Sequence, residues 1–324
     1  MLAVTELKPI GSGLSRPECV LTTASGHLYT SYLGPEGRSG VSHIAPNGAV
    51  VHYTAKDPRQ NPKDFMSNGI ALLRDGSFLI ANLGPTGGVY HLDRQGQLSP
   101  KILEADGLTL PPTNFVGIDP KERIWTTVST LMNPRDPAMR KGHADGIVVL
   151  CDARGTRIVA EGMGFTNEAI VDPSGEWLYV NETISRRTSR LKIKENGDLG
   201  PRETVTEYGE AVFPDGFNFD AEGGIWAVSV CSNRIIHTDR QGHQRLYFED
   251  CDRDEMAQAE AHYQSEQPIR SIFDYGKART GRNLASIAFG GADLRTLYMG
   301  TLHSDQVLTL PADITGAKPV HWHF

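Results

Sequence analysis

Cysteine is scarce in this chain: Cys19, Cys151, Cys231 and Cys251 are the full set, and no CxxC or other metal-ligand spacing occurs among them. In 324 residues so few thiols do not build a disulfide scaffold, and reduced thiols in a cytoplasm are the simplest account. Long apolar runs are missing as well. No stretch approaches the ~18 residues of a membrane span, and the start, MLAVTELKPIGSG, has neither a basic beginning nor an apolar core of ~7–15 residues, so neither export nor membrane insertion is expected. The formal charge is −7 with no long Lys/Arg run, which argues against a nucleic-acid surface and leaves small molecules or cations as partners. Several chemistries lack their motifs. GGVYHLDRQG at 87–96 has neither the spacing nor the following helix of a phosphate-binding loop. No GxSxG elbow is present, which excludes the usual serine hydrolase. The eleven histidines are scattered, and the terminal HWH at 321–323 reads as a tail cluster rather than a metal site.

What the chain does have is glycine, 34 of them, and an internal repeat. Six segments share one plan, a polar residue, an apolar stretch, a Gly- or Asp-rich turn and a second β-rich run. They are PECVLTTASGHLYTSYLG, MSNGIALLRDGSFLIANLG, PTNFVGIDPKERIWTTVST, FTNEAIVDPSGEWLYVNET, FPDGFNFDAEGGIWAVSVC and LASIAFGGADLRTLYMGTL. Each predicts a β-hairpin entered at its polar residue. The register is nearly constant: Glu18 to Tyr29, Asn68 to Leu79, Asn114 to Trp125 and Asp215 to Trp226 are 11 apart, while Asn167 to Tyr179 and Ser286 to Tyr298 are 12 apart. A second turn follows in most copies, giving about four strands per unit, and the anchors recur 50, 46, 53, 48 and 71 residues apart. Four-stranded units at this period predict an all-β, six-bladed β-propeller with four antiparallel strands per blade. One domain over 1–324 is expected, with an insert at about 251–282 between the fifth and sixth blades. Within it a short surface helix is predicted at about 252–265. A second insert, 131–145, reads as a loop, either a lid or a plain surface excursion. ISRRTSRLKI at 184–193 reads as a solvated edge, and Cys19 as buried core.

Propeller symmetry places the six anchors around one mouth of the central channel. Glu18, Asn68, Asn114, Asn167 and Asp215 are polar and oxygen-bearing, and two carboxylates forced together away from water repel at a cost of several kcal/mol. A divalent cation resolves this. Carboxylate and amide oxygens without His or Cys suit Ca²⁺ above all, with Mg²⁺, Mn²⁺ or Zn²⁺ as the other candidates. Such an ion either activates water at an open position or serves as a structural plug.

These residues resemble the regucalcin (senescence marker protein), gluconolactonase and luciferin-regenerating-enzyme family of six-bladed propellers, over about residues 14–310. The resemblance is carried by RPE at 16–18, TNEAIVDPSGEWLYVNET at 166–183, FPDGFNFDAEGGIWAV at 213–228 and AFGGADLRTLYMGT at 288–301. It implies a metal held by Glu18, Asn167 and Asp215, with Asp215 as general base and Asn114 lining the site. It also implies hydrolysis of a lactone or related ester in a small-molecule pocket. Phosphotriester hydrolysis and a non-catalytic binding propeller stand as alternatives, and no oligomeric state is implied. Three departures bear on the substrate. Pro112 stands where sugar-lactone-hydrolysing relatives often carry Arg, Glu168 follows Asn167 where Gly is commoner, and Asn68 is added. Asn68, Asn114 and Glu168 are therefore the expected substrate contacts, and Phe65, Met66 and Met132 nearby fit a less polar lactone or ester.

Overall fold

Each repeat folds into one antiparallel four-stranded sheet whose strands run outward from the centre in chain order. The computed structural model describes residues 1–57, 59, 61, 62 and 64–324. Blade 1 consists of Val20–Thr22, Leu28–Leu33, Ser39–Ile44 and Val50–Thr54. Blade 2 consists of Ser67–Leu72, Phe78–Asn82, Val89–Leu92 and Leu98–Ile102. Blade 3 is built from Thr113–Ile118, Ile124–Val128, Gly146–Asp152 and Gly155–Met163, and blade 4 from Thr166–Val171, Trp177–Glu182, Arg187–Ile193 and Leu199–Glu207. Blade 5 follows with Pro214–Phe219, Ile225–Ser229, Arg234–Thr238 and Gln244–Phe248. Blade 6 takes Leu284–Gly290, Thr296–Thr301 and Val307–Pro311 from the end of the chain and its outermost strand, Lys8–Ile10, from the beginning. Pairing the first strand with the last blade closes the ring: its backbone hydrogen bonds lie within blade 6, and the chain then runs on into blade 1.

Alternation along each strand explains how the blades stack. In blade 2, Ile70, Leu72, Phe78 and Ile80 pack toward blade 1 with Tyr29 and Val41, while Ala71, Leu79 and Ala81 pack toward blade 3 with Val116 and Val128. Side chains at i and i+2 share a face, so one strand feeds two inter-blade cores. Six such cores run around the ring. Burial fades outward: Ser67–Leu72 is buried throughout, whereas Val50–Thr54 and Gln244–Phe248 expose several residues. The 11-residue register has a physical basis in blades 3 and 5. Trp125 and Trp226 are fully buried, and each indole donates at 2.9 Å to the Asp of its own hairpin turn, Asp119 or Asp220.

The inserts are more structured than the sequence suggests. Helix α1, Arg253–Gln264, lies where a helix is predicted, capped by Asp252, whose carboxylate accepts from the N–H groups of Asp254 and Glu255. Met256, Ala259 and Tyr263 are buried, so α1 docks along one face instead of lying loose on the surface. A second helix, α2 (Arg270–Phe273), follows. The basic stretch at 184–193 is not an edge: Arg187–Ile193 is hydrogen-bonded on both sides, to Trp177–Glu182 and Leu199–Glu207. Arg187 is tolerated there because the buried carboxylate of Glu182 receives its guanidinium at 2.7 and 2.8 Å. Among the described residues, no helix is long and apolar enough to cross a membrane.

Candidate active site

The anchors stand at interruptions of the sheet. In blades 2 to 5 the innermost pairing slips at the anchor, between Ser67 and Ile70, Thr113 and Phe115, Thr166 and Ala169, and Pro214 and Phe217. Such a bulge leaves a residue unpaired and re-aims its side chain, which is how Asn68, Asn114, Asn167 and Asp215 leave the alternating pattern. The freed backbone carbonyls are taken up by side chains of neighbouring blades. Glu18 accepts from Ser286, Asn114 from Asn68, Asn167 from Thr127 and Asp215 from Asn181. Glycine follows two anchors because the strands crowd there: a Cβ on Gly69 would stand 2.6 Å from Phe115 Cα, and one on Gly216 2.7 Å from Ser286 Cα. Blade 1 uses another device. Arg16 holds a φ of 50° just before Pro17, a strained conformation for a non-glycine residue, and the Ser31 hydroxyl accepts the N–H groups of Glu18 and Cys19.

All five oxygen-bearing anchors are buried. Asn68 Nδ2 donates to Asn114 Oδ1 at 2.6 Å and to Glu18 Oε1 at 3.1 Å, and Asn68 Oδ1 accepts from Arg16 at 2.9 Å. Asn114 Nδ2 donates to Ser129 Oγ, and Asn167 Nδ2 to Thr183 Oγ1. The expected substrate contacts Asn68 and Asn114 thus bond each other, and Asn68 bonds Glu18 as well. Glu18 Oε2 is buried with no hydrogen-bond partner. Burial pushes the Glu18 carboxyl up, against the pull of Arg16, Asn68 and Arg135. Asp215 is pushed well above the usual carboxylate range, by burial first and then by Glu18, with Arg16, Arg135 and Asn167 opposing.

The ring divides two cavities. Above it a cavity of about 1130 Å³ opens to the surface, walled by Arg16, Met66, Arg135, Met139, Phe273 and Leu302 among others. Below it a cavity of about 260 Å³ is lined by Cys19, Phe115, Glu168, Phe217 and the tail residues Ala317 to His321. Glu168 faces this lower, apolar space. Its Oε2 accepts the Phe217 N–H at 3.1 Å, and burial, then the nearby Glu18 and Asp215 charges, raise it well above the usual range despite that bond. Cys19 is buried, and burial first of all pushes its thiol well up.

Two residues at the site have no signature in the sequence. Arg16 lies inside the RPE motif, where the repeat points to Glu18 alone. Arg135, on the 131–145 insert, sets its guanidinium near Glu18 and Asp215 and above the Phe165 ring at 5.0 Å.

Among the described residues, no three His, Cys, Asp or Glu side chains converge to hold a metal ion. Amide oxygens would have to complete the set. Two buried carboxylates, one with an unpartnered oxygen, together with Asn167 and Asn114, fit a hard cation of that kind.

Comparison with known proteins adds to this geometry. The chain is 27% identical over 232 residues to 6-deoxy-6-sulfogluconolactonase of Pseudomonas putida, covering 70% of this chain and 66% of that protein. It is 26% identical over 249 residues to pentonolactonase XacC of Haloferax volcanii, covering 73% and 67% respectively. The calcium-binding protein regucalcin of Agrobacterium tumefaciens superposes with a TM-score of 0.66 at 16% identity, over 98% of this chain and 95% of that one, a likeness of fold. The SMP-30/Gluconolactonase/LRE-like region matches residues 45–248, from the end of blade 1 through blade 5. With the six blades and the anchors in register, the chain belongs to the SMP-30, gluconolactonase and luciferin-regenerating-enzyme-like family.

Proposed function

We propose that this protein hydrolyses a lactone or related ester with one bound divalent cation, Ca²⁺ foremost. The observation that carries the reading is Glu18 Oε2, a buried carboxylate oxygen without a hydrogen-bond partner, close to the second buried carboxylate of Asp215. Leaving such groups desolvated and mutually repelling costs several kcal/mol, and a cation among them removes both penalties. Glu18, Asn167 and Asp215 would hold it, with Asn114 beside them. When bound, the ion supplies polarisation of the ester carbonyl and makes water easier to deprotonate.

The remaining steps fall to the chain's own side chains. Asp215 takes the proton of the attacking water on a carboxylate oxygen. As the acyl C–O bond breaks, the same proton passes to the departing alkoxide, a hydroxy acid leaves and the carboxylate is restored. Asn68 acts as a positioning residue, fixing Glu18 Oε1 and Asn114 Oδ1 through one amide. The names of the two relatives, both lactonases, support the reaction class, and that of regucalcin supports calcium. The four unpaired cysteines agree with a cytoplasmic location.

The test is hydrolysis of a panel of sugar and non-sugar lactones by metal-stripped protein with Ca²⁺, Mn²⁺, Mg²⁺ or Zn²⁺ restored, in wild type and Asp215→Asn. Metal-dependent turnover lost in the variant is expected. A folded, cation-binding protein inert on every lactone overturns the reading and moves the search to phosphotriesters.

A further inference from the structure

The upper cavity is walled by several cations, and one of them differs from the rest. Arg270 pairs with Asp274 at 3.0 Å, Arg279 with Asp252 at 3.1 Å and His303 with Asp274 at 3.1 Å. Arg16 is tied to Asn68. Arg135 is held otherwise: its Nη1 is buried without a hydrogen-bond partner, and its guanidinium lies above the Phe165 ring. A buried donor left unsatisfied costs about 1–3 kcal/mol, more when charged, so this position calls for an acceptor.

Charge balance says what kind. Glu18 and Asp215 face Arg16 and Arg135, these four groups feel one another, and Asp136 on the cavity wall also acts on Arg135. A divalent cation on the carboxylates would leave two guanidiniums of the cavity wall with Asp136 alone beside Arg135, an excess of positive charge. Burial and the adjacent Arg16 push Arg135 down only to about 10, so it keeps its charge near neutrality. Neutral hydroxyls do not cancel such an excess, whereas an oxyanion with several acceptor oxygens does, and a guanidinium fork matches it.

We infer that Arg135, with Arg16, forms an anion subsite above the carboxylate ring, and that the substrate is a lactone carrying a second, anionic oxyacid group. The lactone half of this statement rests on the function proposed above; the anion subsite does not.

The experiment compares four aldono-1,4-lactones on the Ca²⁺-loaded full chain: the neutral compound, its aldaric counterpart with a free carboxylate, and the 6-sulfo and 6-phospho forms. The charged forms are expected to be preferred, and their order distinguishes carboxylate from sulfonate or phosphate. Arg135→Gln is expected to lower the charged-to-neutral ratio of kcat/KM by roughly 10- to 100-fold, with Arg135→Lys retaining part of it and the wild-type preference weakening with salt. Binding of the aldaric lactone by calorimetry, in Asp215→Asn and in Asp215→Asn with Arg135→Gln, reads the subsite without turnover. A wild-type ratio near one, or a ratio and affinity unchanged by Arg135→Gln in a protein of unaltered melting temperature, overturns the inference. Binding that needs Arg135 with no lactone hydrolysed upholds the subsite and removes the hydrolase reading instead.

Discussion

The backbone N–H of Ile269 donates to the carbonyl of Met139 at 2.7 Å, joining the two inserts into one wall beside the upper cavity. Around this bond Ala138 and Met139 of the first insert pack with Met256, Tyr263, Ile272 and Phe273 of the second and with Phe165 and Phe213 of the blades. The Tyr263 hydroxyl donates to Ile184 O at 2.8 Å, anchoring α1 to blade 4. The inserts therefore dock on the propeller through a buried core of their own, and Arg135 is aimed at the carboxylates by that docking.

Glu260 tests how firmly the wall is held. Its carboxylate receives Arg186 at 2.8 Å and the Ala211 N–H at 2.9 Å, while Arg186 lies 3.6 Å from the Tyr263 ring centroid with its side chain only 9% exposed. Glu260→Ala strands that guanidinium and should destabilise the protein by roughly 2–4 kcal/mol. Denaturant unfolding measures the loss, and limited proteolysis should show faster cutting within 250–282. Equal stability and equal cutting would mean that the wall is held by its apolar contacts alone.

A second prediction concerns the carboxylate ring. Adding Ca²⁺ to metal-stripped protein should raise the melting temperature, because a ligand at about 100 times its Kd adds about 2.7 kcal/mol to the folded state. In Glu18→Gln the response of the stripped protein to Ca²⁺ should vanish, because the carboxylate that would hold the ion has been neutralised. A calcium shift that survives in Glu18→Gln would place the ion elsewhere.

Why the sequence discloses some of this and conceals the rest follows from where periodicity acts. Asn68, Asn114, Asn167 and Asp215 recur because blades 2 to 5 each bulge at the same point, and a repeated constraint leaves a repeated residue type. The strand Lys8–Ile10 has no such signal: three residues are too few to alternate, and their partner lies at the far end of the chain. Arg135 is hidden for the same reason, since its aim depends on Met139 meeting Ile269 across two aperiodic inserts. Arg187–Ile193 reads as exposed because its charge is visible in the sequence and the buried Glu182 that neutralises it is not recognisable as its partner. Glu168 is visible as a departure from Gly, but that it turns toward the lower cavity depends on the space left open beside Gly216, where a Cβ would stand 2.8 Å from Glu168 Oε1.

Glu182 gives a prediction in pH. Burial alone would raise its carboxyl, but Arg187, the Gly164 N–H and the Ser189 hydroxyl together hold it below its ordinary 4.5. A carboxylate depressed in the fold contributes stability that is complete above the unfolded value and is lost as pH falls through the folded one. Stability should therefore drop below about pH 4.5. Glu182→Gln should be weaker at pH 7 and show a flatter decline from pH 5 to 3 in urea titrations. Parallel profiles would show that Arg187 is compensated by another group.

The C-terminal tail offers the sharpest titration. The sequence reads HWH as a tail cluster, and in the fold Trp322 is buried with the blade 5 and blade 6 core and His321 lines the lower cavity. Burial pushes His321 down to about 4, and its Nε2 is buried without a partner. The ring is thus neutral in the fold at pH 7. Between pH 6.5 and about 4 the detached tail takes up a proton that the docked tail refuses, at about 1.4 kcal/mol per pH unit. The tail's docking energy caps this loss, because the tail can leave while the blades stay folded. Trp322 fluorescence should shift toward that of a solvated indole as pH falls from 6.5 to 4.5, ahead of global unfolding, and His321→Leu should abolish the early shift while leaving Trp322 docked. An indole signal that stays flat until the whole protein unfolds would mean that the tail is held more tightly than the cost of protonating one buried imidazole.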